Sequence, residues 1–151
     1  MVDKKRVWPC YEVTMQKHVG PTAAALSSLE AEGYPNSIVT VQCEPAGVQL
    51  WRQIRAQLPT GTNVVGGIKP AWEDGAGNRL GPFGPHAPDA LLSATAWQEV
   101  GTIAAALHQA GAAWLLWDWE HALRLWCQDK EQADVADMMV PLGALQSRIT
   151  G

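Results

Sequence analysis

Apolar and polar positions along this chain switch repeatedly between a two-residue and a three-to-four-residue period, the signature of strands alternating with helices. Val7–Thr14 is a short β-like run. A loop over Met15–Pro21 leads to Thr22, a good N-cap, and then to the Ala-rich segment Ala23–Glu32 with Gly33 as its stop. Ser37–Cys43 is dense in β-branched residues, and after Pro45 the residues Val48, Trp51, Ile54 and Leu58 fall on one helical face before Pro59. Asn63–Ile68 predicts a third strand. Trp97, Val100, Ile103, Ala104 and Leu107 predict a helix that stops at Gly111. Ala113–Trp119 predicts a fourth strand, nearly all apolar, as a strand covered on both faces should be, and a final helix is expected from about His121.

Successive βα units imply an α/β fold with parallel strands. Two architectures remain, an open doubly wound sheet or part of a (β/α)8 barrel, and both place function at the carboxyl ends of the strands. No GxGxxG and no GxxxxGK[ST] follows any predicted strand, which leaves a nucleotide site unsupported. A complete barrel takes about 250 residues. The expectation is therefore a single domain over residues 1–151 with four βα units, half of a TIM-type barrel, its strands in the sequential order 1-2-3-4. Polar residues at all four carboxyl ends would suit one shared mouth.

Composition removes several alternatives. The hydrophobic fraction of 47% and charged fraction of 17% are those of a globular chain. Eleven Lys and Arg against fifteen Asp and Glu leave a net charge of −4, without the basic excess that binding a nucleic-acid backbone requires. Cys10, Cys43 and Cys127 are widely spaced with no CxxC pair, so they read as small core residues in a reducing compartment. The apolar run near Met1–Tyr11 is too short for a signal peptide, and no stretch approaches 18 uninterrupted apolar residues. A cytoplasmic protein without membrane contact is expected. Eight Trp beside two Tyr and one Phe suit stacking on sugar faces, although Trp is also a core filler.

Chemistry concentrates at the predicted strand ends. The stretch Lys69–Ser93, rich in Gly and Pro, exceeds the ~12–15 residues of ordinary connections and is expected to be a binding loop carrying Trp72, Glu73 and Asp74. Glu12, Glu44 and Lys69 end the first three strands, where Lys69 could hold a carboxylate ionised. Trp117-Asp118-Trp119-Glu120 ends the fourth. Alternation along a strand puts Asp118 and Glu120 on one face with Trp114 and Leu116. Two carboxylates a pleat apart cannot both ionise comfortably, so one should stay protonated near neutral pH, as a general acid requires. The same pair would also serve simply to cap the strand and the next helix. A metal site of Asp118, Glu120 and His121 is not expected, because Glu120 and His121 point apart on a strand.

Trp97–Glu120 resembles the helix and fourth strand of the family-18 glycoside hydrolases, chitinases and their relatives, whose strand reads DGxDxDWE. Asp118-Trp119-Glu120 matches its close, and Val64-Val65-Gly66-Gly67 stands where that family carries SxGG. The likeness covers roughly residues 63–121. Ala113, Trp114 and Leu116 replace the first Asp, the Gly and the middle Asp, and Val64 replaces the Ser. The resemblance implies Glu120 as general acid and Asp118 as the group that orients a substrate N-acetyl group; Trp72 in the long loop and Lys69, Glu44 and Glu12 at the other strand ends, without a family match, are candidate substrate contacts. It implies no cofactor. The expected function is a glycoside hydrolase-like protein acting on or binding an amino-sugar polysaccharide; the alternative is a non-catalytic structural or assembly module with a degenerate half-barrel. Unpaired sheet edges in a half-barrel predict a homo-oligomer or a place in a larger assembly.

Overall fold

A computed structural model of the chain describes residues 1–84 and 93–116. Its main sheet is built from β1 (Cys10–Val13), β2 (Asn36–Gln42), β3 (Asn63–Lys69) and, after a small hairpin of β4 (Trp72–Glu73) and β5 (Arg79–Leu80), β6 (Trp114–Leu116). The four strands are parallel and ordered β1-β2-β3-β6. Among the described strands β1 stands beside β2 and not between β2 and β3, so their order is the expected sequential one. Three helices make the crossovers: α1 (Val19–Ala31), α2 (Pro45–Gln57) and α3 (Ala94–Gln109). The chain is thus a mixed α/β protein with a parallel sheet.

Alternation along the strands sorts the sheet into two faces. Val13, Val39, Val41, Val64 and Ile68 join one core with Val19, Ala23 and Leu26 of α1, Val48, Trp51 and Ile54 of α2, and Trp97, Val100, Ala104 and Leu107 of α3. All three helices therefore lie against this face, and α2 touches both α1 and α3. The other face carries Cys10 and Glu12, then Ile38 and Thr40, then Val65, Gly67 and Lys69, as the pairings Glu12 with Thr40 and Thr40 with Gly67 require. Both glycines of the β3 pair have a packing reason. A Cβ on Gly66 would stand 3.3 Å from Leu107 of α3, and one on Gly67 would collide with the Thr40 hydroxyl and come within 3.1 Å of its Cα.

Several boundaries differ from the sequence reading. α1 starts at Val19, not after Thr22, because Gly20 and Pro21 fit inside its first turn, where a missing N–H costs nothing. Met15–Pro21 is accordingly not a loop, since a 3-10 turn, Gln16–His18, runs straight into the helix. Gly33 stops α1 as expected: at φ 95° its N–H donates to Glu30 O and the Tyr34 N–H to Leu29 O, a left-handed Schellman close. Gly111 repeats the device on α3, with its own N–H on His108 O and the Ala112 N–H on Leu107 O. β1 is shorter than Val7–Thr14, because only Cys10–Val13 has β2 to pair with. Cys43 is buried as expected, whereas Cys10 is exposed, since an edge strand has a neighbour on one side only.

Candidate functional site

The long connection after β3 is not a featureless loop in its described part. β4 and β5 pair antiparallel, Trp72 with Leu80 and Glu73 with Arg79, around a turn built on Asp74. The Asp74 carboxylate accepts hydrogen bonds from the Asn78 side-chain amide at 2.8 Å and from the backbone N–H groups of Asn78 and Ala76 at 2.9 Å, while Gly77 takes the left-handed position at φ 80°. This is the three-residue hairpin that combines a type I turn with a glycine bulge. At the neck, the Phe83 N–H donates to Pro70 O at 3.1 Å, and the Trp72 ring lies so close to Gly81 (φ 85°) that a Cβ there would touch it. Phe83 is 1% exposed and meets Trp97 of α3 edge-on, with ring centroids 5.0 Å apart. One aromatic side chain thus anchors the hairpin to the core.

The anchored hairpin walls a groove of about 530 Å³ at the carboxyl end of β2. Cys43, Glu44 and Pro45 line one side, Trp72, Leu80, Gly81 and Pro82 the hairpin side, and Glu99, Thr102 and Ile103 of α3 the third. Pro45 opens α2, and Glu44 sits at its N-cap in extended conformation without spending its carboxylate on a capping hydrogen bond. A negative charge is favoured there by the helix dipole. Among the described residues neither Glu44 nor Glu99 has an ion-pair partner. Their charge reaches the groove floor: burial above all, then the Glu99 and Glu44 carboxylates, push the Cys43 thiol up to about 12. It stays a neutral thiol at physiological pH and is no nucleophile.

The predicted site residues separate into two places. Lys69 and Glu12 meet on the opposite face of the sheet, Nζ to Oε1 at 3.1 Å, bridging over β2. Glu44 and Trp72 belong to the groove instead. Asp118, Glu120 and His121 lie outside the described residues; the last register pair of β6 sets Leu116 beside Ile68. Of the tryptophans, Trp51 and Trp97 are core, and Trp72 is partly buried at the groove. Sequence reasoning missed Glu99. Its signal was present, since Glu99, Thr102 and Ile103 share one helical strip at spacings of three and four.

Among the described residues no cluster of three or more His, Cys, Asp or Glu could hold a metal ion, and no helix is long and apolar enough to cross a membrane. Family models, curated proteins and solved structures were compared with the chain. None matches.

The hairpin turn should be acid-sensitive. Hydrogen bonds from the Asn78 amide first, and from its backbone N–H next, hold the Asp74 carboxyl below its ordinary 3.8. A lowered folded-state value means that the turn's contribution is complete above the ordinary carboxylate range and is lost as pH falls through the lowered value. Amide shifts of Gly77 and Asn78 followed by NMR should move with that midpoint, and Asn78→Ala should bring the midpoint up toward 3.8.

Proposed function

We propose that the chain forms part of a (β/α)-barrel-type, glycoside hydrolase-like unit that binds an amino-sugar polymer at the carboxyl ends of its strands. The observation that carries this reading is the groove itself, which pairs an indole, Trp72, with two carboxylates that have no ion-pair partner among the described residues. Its volume falls within the ~300–1,000 Å³ of small-ligand sites, and a mostly apolar wall with a few polar groups is the usual build of such sites. A sugar ring offers an apolar face to the indole and hydroxyl donors to the acids. Sequential parallel strands with every helix on one face are how a barrel winds. A second copy or another chain would supply the remaining strands.

Loss of the family's polar groups at Leu116 and Val64 favours a second reading, a structural or assembly module that kept the scaffold without the chemistry. Calorimetric titration with chitin oligosaccharides decides between them. Binding that weakens about five- to tenfold in Trp72→Ala, a loss typical of one aromatic contact, supports the sugar reading. No binding of chitin oligosaccharides or of their free-amine counterparts by the folded wild-type protein would leave the assembly reading in its place.

A further inference from the structure

Among the described residues, every charged side chain that lines the groove is negative: Glu44 reaches it from the N-terminus of α2 and Glu99 from α3. Two carboxylates facing one apolar space repel each other, and among the described residues no cation relieves them. A ligand bringing its own positive charge would do so. An ammonium offers three donors and no acceptor, so both acids can bond to it, and its charge is attracted to the face of an indole. An N-acetyl group brings no charge, and its carbonyl oxygen would stand acceptor to acceptor against the carboxylates.

We propose that the groove selects sugar units bearing a free, protonated amine over N-acetylated ones, with Glu44 and Glu99 as the counter-charges and Trp72 as the surface under the ring. This rests on the amino-sugar reading and narrows it. The partner is a glucosamine oligomer, and the recognised feature is the ammonium on its apolar ring. The buried, neutral Cys43 forms the floor without entering any covalent step.

The full chain is titrated by calorimetry with short glucosamine oligomers and with N-acetylglucosamine oligomers of equal length, in slightly acidic, low-salt buffer. The glucosamine oligomers should bind about tenfold more tightly, and that preference should shrink at high salt, which screens exposed charge pairs. Glu44→Gln and Glu99→Gln should each weaken the glucosamine oligomer about threefold more than they weaken the acetylated one, because only the former loses an ion pair beside its hydroxyl contacts. Far-UV circular dichroism confirms that both variants fold. Equal binding of the two oligomers, untouched by either substitution, would overturn the amine preference while sugar binding stands. Tighter binding of the acetylated oligomer would overturn it as well. Failure of both oligomers to bind removes this inference together with the sugar reading.

Discussion

Phe83→Ala is expected to cost about 3–5 kcal/mol of folding stability, the range for deleting a fully buried aromatic side chain, and to lower the melting temperature by on the order of 10 °C. The ring is 1% exposed and packs edge-on against Trp97, so its removal forfeits both the buried area and the aromatic pairing, and leaves a void that close-packed neighbours fill poorly. The effect should not stay local. Phe83 closes the neck of the β4–β5 hairpin through its N–H on Pro70 O, and the hairpin supplies Trp72, Leu80 and Pro82 to the groove. Ligand affinity should therefore fall along with stability, although Phe83 is not among the groove's lining residues. Chemical denaturation measures the first loss and calorimetric titration the second. An unchanged melting temperature would show that the hairpin is not anchored by this ring.

Glu120→Gln is expected, under the sugar-cleaving form of the proposed function, to reduce turnover of an aryl N-acetylglucosaminide by roughly 10²–10⁴, the usual contribution of a general acid. Gln keeps the shape of the side chain and removes the transferable proton, so the melting temperature should hardly move. The expectation comes from the likeness of Asp118-Trp119-Glu120 to the close of the family-18 strand, whose Glu is the general acid. Turnover equal in the two forms would assign the acid elsewhere, and absence of turnover in the wild type would remove the hydrolase reading while leaving sugar binding to its own titration.

The αβ alternation was legible because its signals are local. Pro45 opens α2 and Gly33 and Gly111 end α1 and α3, each through a backbone preference that belongs to the residue itself. The sequential order was legible in a weaker way, from polar residues ending successive strands. What misled was punctuation read too literally: Pro21 looks like loop but fits the first turn of α1, and Gly75, Gly77 and Gly81 look like loop but build a hairpin around Asp74. The glycine pair Gly66-Gly67 stands where the resembled family carries SxGG. Contacts with Leu107 and Thr40 account for both residues by packing.

Periodicity states which residues share a face, and no more than that. Glu12 and Lys69 share the open face, and they meet because β1 and β3 flank β2, a neighbour relation set by how strands assemble rather than by any stretch of chain. Glu44 looked equivalent to them as a third strand-end charge. Folding sends it the other way, since Glu44, two residues past β2, is already the N-cap of α2 and its carboxylate lines the groove that α3 also walls. There it shares a groove with Glu99, distant in sequence and brought to the same groove once α2 and α3 pack side by side. Strands, helices and their stops follow from short-range backbone sterics and hydrophobic period, which each segment carries by itself. The groove follows from the docking of separate segments, whose pairing is chosen by the burial of the whole core.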